Sequence, residues 1–492
     1  MSNQIAKLGV GLLACFLVLF VQLNRVTVFG AQELKDNPVN NRSILRDFDA
    51  PRGTIVTADE VIVARSEPTP EGSRFEFARS YPEGDLFAHT VGYFSLNLGA
   101  TGVEDSYNAE LAGRTIDLSF RSLDDLFVDR DRVGDVRLTL RADVQRVAKD
   151  LLGERQGSVV AMDPRSGELL AMWSWPSFDP NALATHDFSA ANDAFALFQA
   201  DERDPLLAKT YRERFFPGST FKVVTAAAGL ASGEITADQP VYPVAREYTP
   251  PQTNRPLRNF GGSSCGGDLF DILRVSCNTA FAQMAVDLGE DQMVGTAESF
   301  GFNAAPPIDL PAPAQSVFPT DFEQNLPALA QAGIGQNDVS ATPLQMAMVA
   351  AAVANEGRIM TPRTVADIRD DDNSVVDDPE PTQWRRAVSA EHAAVLRQAM
   401  VEVAERGTAR NLAIPGFEVG GKTGTAQLGT DPPRSHAWII GFAGLPGQTP
   451  SVAVAVIVEG QPGASEQTGG QVAAPIAKAV METVLAAQGG GA

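Results

Sequence analysis

Lysine is scarce in this 492-residue chain: of 39 basic residues only seven are lysine, at positions 7, 35, 149, 209, 222, 422 and 478. Arginine supplies charge everywhere else, so a retained lysine points to work arginine cannot do. Proton transfer is such work, because guanidinium does not deprotonate. Cysteine is scarcer still, and three residues exclude a disulfide-dense mini-scaffold. The four histidines, at 89, 186, 392 and 436, show no paired metal-ligand spacing. A zinc hydrolase therefore has no support, and neither metal nor organic cofactor is expected. Surplus positive charge is also missing. A net charge of -22 argues against non-specific nucleic-acid binding and against a polybasic contact with a membrane surface. The remaining composition, 44% hydrophobic and 20% charged, is that of packed domains, and the length allows two to four of them.

An uncharged apolar run, Leu8 to Val21, follows Lys7 and continues weakly to Phe29. Residues 8–29 as a helix would reach about 33 Å, the thickness of a bilayer core. The expectation is an uncleaved signal-anchor over residues 1–30, a single-pass transmembrane helix with its N-terminus in the cytoplasm and the body outside. Residues 31–150 are polar and Pro/Gly-punctuated, with short strand-like runs such as Thr54-Ile55-Val56 and Val61-Ile62-Val63-Ala64, and read as an extended N-terminal module. The catalytic domain is expected over 151–492. Gly157 to Asp163 and Glu168 to Trp173 flank Pro164-Arg165-Ser166-Gly167, a hairpin with good turn chemistry. His436 to Gly444 and Ser451 to Val458 form a second hairpin pattern. Between them lie helical stretches at Phe221 to Leu230, Leu269 to Leu288, Pro343 to Asn355 and Ala390 to Glu405, with a last one near Val472 to Ala486. Strands at both ends of a helical middle predict an α+β fold with one antiparallel sheet.

Three short patterns carry chemistry. Pro217-Gly218-Ser219-Thr220-Phe221-Lys222 opens an alanine-rich helix, so the Ser219 hydroxyl and the Lys222 amine, three residues apart, share a face. A lysine whose pKa is lowered by burial or by nearby positive charge can deprotonate that serine. Ser276-Cys277-Asn278 interrupts the stretch 269–288 and can point a hydroxyl and an amide into a cleft; taken alone it reads equally as a helix cap. Gly421-Lys422-Thr423-Gly424-Thr425 puts a lysine, two hydroxyls and small residues on a strand-like run. Thr423 and Thr425 share a strand face and can hold a carboxylate beside the charge of Lys422.

Ser-x-x-Lys, Ser-x-Asn and Lys-Thr-Gly in that order form the signature of penicillin-binding proteins and serine β-lactamases. The chain resembles the class B penicillin-binding proteins, monofunctional DD-transpeptidases that cross-link peptidoglycan. Ala50-Pro51-Arg52-Gly53-Thr54-Ile55, Gly102-Val103-Glu104, Gly333-Ile334-Gly335-Gln336, Thr342-Pro343-Leu344-Gln345 and His436-Ala437-Trp438 look like further landmarks of that family. The short N-terminal module and the cysteine in Ser276-Cys277-Asn278 are closest to the actinobacterial penicillin-binding protein A type. The resemblance implies a penicillin-binding domain behind a pedestal or dimerisation module. It implies Ser219 as nucleophile on a stem peptide ending D-Ala-D-Ala, Lys222 as general base, and Ser276 and Asn278 as proton relay and substrate holder. Lys422 would set the electrostatics, and Thr423, Gly424 and Thr425 would bind substrate. β-lactams would acylate Ser219, and the backbone N–H groups of Ser219 and Thr425 would form the oxyanion hole. A multi-spanning glycan polymerase of the shape, elongation and division family is the implied partner. Cys265 and Cys277, twelve residues apart, would either bridge or remain two buried thiols.

Competing patterns fit less well. Gly416 to Thr423 satisfies the phosphate-loop spacing Gly-x-x-x-x-Gly-Lys-Thr, but an NTPase needs a strand before it and a helix starting at Lys-Thr. Gly262-Ser263-Ser264-Cys265-Gly266 matches the hydrolase elbow Gly-x-Ser-x-Gly without the buried strand that should precede it. A penicillin-binding sensor, a silent scaffold or a β-lactamase-like hydrolase would share the same acylation machinery.

Overall fold

The computed structural model describes residues 2–25, 48–115, 133–431, 433–461 and 467–489. The outer end of the expected anchor, the start of the N-terminal module and Pro432 lie outside these residues. By internal contacts the chain divides into two compact units. One comprises Met1–Pro51 and Glu67–Ala78. Its N-terminal helix, Ser2–Asn24, leaves Leu8, Leu12, Phe16, Leu19 and Leu23 exposed. Among the described residues no helix is long and apolar enough to cross a membrane. The uncharged run Leu8 to Val21 spans only about 21 Å at the helical rise, short of a bilayer core of about 30 Å. In the same unit Phe48 packs on Phe75 with ring centroids 5.6 Å apart.

The other unit holds Arg52–Ser66 and Arg79–Ala492. Its core is one five-stranded antiparallel sheet, built from β1 (Gly157–Met162), β2 (Leu169–Trp175), β3 (Glu418–Gln427), β4 (Ser435–Gly444) and β5 (Val452–Val458). The spatial order is β3-β4-β5-β1-β2, so the two hairpins expected from sequence become neighbours through β5 and β1. The α+β expectation holds. All seven residues of β5 and all six of β1 are buried, because helices cover both faces of the sheet.

The main helices of this unit are α1 (Ala142–Leu152), α2 (Lys222–Ser232), α3 (Leu269–Arg274), α4 (Asn278–Ser299), α5 (Pro343–Ala354), α6 (Ala390–Arg406) and α7 (Ala474–Gly489). α5 packs on β5, β4 and β1, whereas α7 and α1 pack on each other and on the sheet. Every residue of α5 is buried. Its alanines keep it thin enough to lie between layers, Pro343 occupies its first turn, and the Thr342 hydroxyl caps it by accepting the Gln345 N–H. The helical stretch 269–288, expected to be interrupted at Ser276-Cys277-Asn278, divides there into α3 and α4, parted at Val275-Ser276-Cys277.

N-terminal to the main sheet, Asp135–Leu138 pairs in parallel with Ile55–Val56 and antiparallel with Val365–Arg369. That second partner comes from more than 200 residues downstream, and no local pattern announces it. Arg52, Arg79 and Glu104 are fully buried together here. Each guanidinium Nε lies 2.6 Å from a different Glu104 oxygen. The other Arg52 nitrogens donate to Asn108 and to the Glu104 carbonyl, and Arg79 Nη1 donates to the Gly53 carbonyl, while Arg79 Nη2 is buried without a partner among the described residues. Burial opposes the Glu104 charge, yet Arg79 and Arg52 together hold its carboxyl below the usual range.

A tight approach also joins distant segments. Gly335 sits at φ +72, where a Cβ would lie 2.1 Å from the Gly218 carbonyl oxygen, and Gly218 N–H donates to the Gly335 carbonyl at 2.9 Å. Two stability predictions follow from these contacts. Glu104→Ala leaves two buried guanidiniums uncompensated, and chemical denaturation should show a loss of about 3–5 kcal/mol. Gly335→Ala forces both a disfavoured backbone and a clash with backbone, and should cost about 1–3 kcal/mol in the same measurement, more than Gly447→Ala in an open turn.

Candidate active site

Ser219 lies in a single 3-10 turn, Gly218–Phe221, that runs directly into Lys222, the first residue of α2. The sequence expectation placed this serine in an α-helical turn. A 3-10 turn has three residues per turn, so positions three apart eclipse, which aligns Ser219 and Lys222 more closely than an α-turn does. The turn has no side-chain cap at its N-terminus. Ser219 is half-buried and lines the cleft, whereas Lys222 is fully buried beneath it.

Ser276 owes its position to the way α3 ends. It is in the left-handed region at φ +59, where glycine is the usual occupant. Cys277 N–H donates to the Ile272 carbonyl and Ser276 N–H to the Leu273 carbonyl, the paired bonds of a Schellman terminus. A serine held in this conformation stores local strain, as residues at functional sites often do. The turn is pinned on its far side by a disulfide between Cys277 and Cys265, with Cα atoms 5.8 Å apart. The pairing left open by the sequence is thus formed. Asn278 then starts α4, and its Nδ2 donates to the Arg258 carbonyl at 2.9 Å.

Lys422 comes from the interior of β3, opposite Ile440 on β4. Its neighbours Thr423 and Thr425 line the cleft. Gly424 does not. It faces Pro217 and Thr220, and a Cβ there would lie 2.9 Å from the Pro217 carbonyl oxygen. Its Cα side lets β3 lie against the Ser219 turn. Because Lys422-Thr423 sit mid-strand, the phosphate-loop reading fails; that loop needs them to open a helix. The Gly-x-Ser-x-Gly match leads into the short strand Cys265–Gly267, not from strand to helix, so the elbow reading fails as well.

The three motifs converge on one hydroxyl. Lys222 Nζ donates to the Ser276 carbonyl at 2.7 Å and to Asn278 Oδ1 at 2.6 Å, and lies 3.3 Å from Ser276 Oγ. Lys422 Nζ donates to the same Ser276 Oγ at 2.8 Å and to the Thr423 carbonyl at 2.9 Å. Lys149, Lys209 and Lys478 pair with carboxylates, but all these partners of Lys222 and Lys422 are neutral oxygens. Burial, and next the neighbouring Lys422, drive the Lys222 pKa well below that of ordinary lysine. Burial alone brings Lys422 down to about 7. A neutral amine has two N–H groups and one lone pair. With Lys222 donating to a carbonyl and an amide oxygen, neither of which can donate in return, the lone pair is left for a hydroxyl proton.

The cleft over these groups has a volume of about 1000 Å³ and exposes Ser219, Ser276, Asn278, Thr423 and Thr425 together. Two contributors went unnoticed in the sequence. Thr408, just after α6, accepts a 2.7 Å hydrogen bond from Thr423 and so orients a cleft hydroxyl. Asn259 accepts the Thr279 N–H at 3.0 Å and anchors the start of α4. Neither lies in a recognisable pattern, and only folding brings them to the motifs. Gly335 carried a signal, as part of Gly333-Ile334-Gly335-Gln336, without a role attached. His436 is structural, its Nδ1 accepting the Gly460 N–H at 3.2 Å.

Comparison with known proteins agrees with this geometry. Residues 157–482 match the model of the penicillin-binding protein transpeptidase domain, and residues 52–136 match that of the penicillin-binding protein A dimerisation domain. The chain is 39% identical to the peptidoglycan D,D-transpeptidase PbpA of Mycolicibacterium smegmatis and 37% identical to that of Mycobacterium tuberculosis, each over 99% of both chains. The solved ceftriaxone acyl-enzyme complex of penicillin-binding protein A from M. tuberculosis superposes with a TM-score of 0.82 at 36% identity, covering 90% of this chain and 100% of that one. The penicillin G acyl-enzyme complex of the same protein gives 0.79 at 36% identity, over 89% and 100%. With its three motifs joined in one cleft and these matches along nearly its whole length, the chain belongs to the penicillin-binding protein transpeptidase family and is of the penicillin-binding protein A type.

Proposed function

We propose that the chain is a peptidoglycan D,D-transpeptidase in which Ser219 forms an acyl-enzyme with a stem peptide ending D-Ala-D-Ala. The observation that carries this reading is the pair of buried lysines, free of carboxylates, on either side of Ser276 Oγ. Neutral Lys222 takes the proton from Ser219 Oγ as that oxygen attacks the carbonyl carbon of the penultimate residue. The N–H groups of Ser219 and Thr425 receive the oxyanion, which is where preorganised donors contribute most. Lys422, Ser276 and Lys222 form a chain that carries the proton to the departing amine. The C–N bond breaks, D-alanine leaves with that proton, and an ester to Ser219 remains. An amine of a neighbouring stem then attacks the ester carbon and gives up a proton to Lys222. The new amide forms, and Ser219 Oγ regains its hydrogen. Thr423 and Thr425 hold the terminal carboxylate. A β-lactam follows the first half of this path, but its leaving nitrogen stays tethered.

The exposed apolar side chains of helix Ser2–Asn24, from Leu8 to Leu23, support a role for it as the anchor that places the catalytic unit outside the cytoplasm. The match of residues 52–136 to a penicillin-binding protein A dimerisation model supports a pedestal or pairing role for that module. A glycan polymerase of the shape, elongation and division family remains the proposed partner on family resemblance alone.

Labelling with a fluorescent penicillin tests the nucleophile: peptide mapping should find the label on Ser219, and Ser219→Ala should abolish it. Label on any other residue defeats the assignment. The acylation rate should hold level down to a pH well below the ordinary lysine range and fall only below that point, where protonation removes the lone pair of Lys222. An apparent pKa near that of free lysine, about 10.4, would contradict the desolvated base. Lys222→Arg keeps the charge but cannot accept a proton, so acylation should drop by at least about 100-fold.

A further inference from the structure

Pro217, two residues before Ser219, has no N–H to tie it down. Its carbonyl is taken inside the turn by the Thr220 hydroxyl at 2.7 Å. Phe215 exchanges both of its backbone bonds with Ala341, at 2.9 Å each, and Gly218 N–H goes to the Gly335 carbonyl. All of these partners lie outside the central sheet. The Phe216 carbonyl is different: it accepts a 3.0 Å hydrogen bond from Nε1 of Trp438 on β4. Among the described residues this is the one hydrogen bond between residues 215–221 and the central sheet.

Trp438 is fully buried and stands opposite Gly424 in the β3–β4 ladder. A Cβ on Gly424 would lie 2.9 Å from the Trp438 Cβ and 2.9 Å from the Pro217 carbonyl oxygen, so the indole, β3 and the Ser219 turn meet at one point. The Phe215 ring meets the indole edge-on, with centroids 6.3 Å apart. Gly218 rests further along β3: at φ +52, a Cβ there would lie 3.1 Å from both the Thr425 carbonyl oxygen and the Ala426 Cα. A buried indole has a single donor and needs a partner for it, so the packing of the ring fixes where the Phe216 carbonyl sits.

We infer that Trp438 is a positioning residue for the oxyanion hole: its indole fixes the gap between the turn that carries the Ser219 N–H and the strand that carries the Thr425 N–H. The inference rests on the transpeptidase reading and adds to it a residue that does not line the cleft. Two donors stabilise a developing oxyanion only when both lie about 2.7–3.1 Å from it, so a gap that widens slightly weakens the hole without removing a donor. Phenylalanine would fill most of the space but donate nothing.

The test follows acylation of the full chain by stopped flow with a penicillin and with its thiono analogue, in which sulfur replaces the reacting carbonyl oxygen. Sulfur is larger and a weak acceptor, so the ratio of the two acylation rates reports on the hole and not on the general soundness of the fold. Trp438→Phe should slow acylation by the penicillin about tenfold or more, change its noncovalent dissociation constant by less than about twofold, and lower the oxygen-to-sulfur rate ratio several-fold. Benzothienylalanine at position 438 keeps both rings and removes only the N–H; it should lower the ratio in the same direction, and it decides the outcome where the phenylalanine variant does not fold. An unchanged penicillin rate overturns the inference. So does equal slowing of both compounds, which would leave Trp438 as packing alone. Penicillin that fails to label Ser219 in the wild type would instead bring down the transpeptidase reading itself, so the two failures are distinct.

Discussion

Two lysine amines share one serine hydroxyl in a place where neither has a counter-charge. Ser276 Oγ lies 2.8 Å from one nitrogen and 3.3 Å from the other, which puts the nitrogens within about 6 Å of each other. At an effective dielectric of about 20, two full positive charges at that separation repel by on the order of 3 kcal/mol, and burial adds to the cost of each. The site relieves this by releasing protons. A pair this strongly coupled titrates as a unit, so its chemistry belongs to the Lys222–Ser276–Lys422 cluster and not to one residue.

Much of the surrounding fold keeps that cluster dry and close. The 3-10 turn aligns Ser219 with Lys222, and the left-handed terminus of α3 turns Ser276 between the lysines. The disulfide to Cys265 ties down the strained turn on its other side. Gly424 lets β3 come against the Ser219 turn, and Gly335 closes on Gly218 from the opposite direction. The sheet that delivers Lys422 is covered on both faces, so its inner strand β5 is apolar and buried throughout. Ser276, Gly335 and Gly424 bring a left-handed backbone and tight backbone approach close to the reacting atoms, with the buried sheet and α5 packed behind them.

Polarity divides the cleft from its surroundings. The protein carries a large excess of acid, but among the described residues the walls above Ser219 are amides, hydroxyls, apolar side chains and three arginines. An acidic side chain close to the lysines would pair with them and raise their pKa values, undoing the base.

The linear chain by itself disclosed the three motifs, both hairpins of the central sheet and the helices between them, because periodicity, turn residues and residue spacing are local properties. The rarity of lysine singled out positions 222 and 422 without any coordinates. Tertiary structure decided what depends on distant pairing: the strand Val365–Arg369 beside Asp135–Leu138, the Arg52–Glu104–Arg79 cluster, Thr408 under Thr423, and the bridge between Cys265 and Cys277. It also decided that Gly424 packs against the Ser219 turn, since a glycine reads alike whatever backbone lies against it. The pKa of a lysine is the clearest case. A side chain in an unfolded chain is solvated wherever it stands, so only burial beside a second amine, an arrangement made by segments 200 residues apart, brings the pKa of Lys222 well below that of an ordinary lysine.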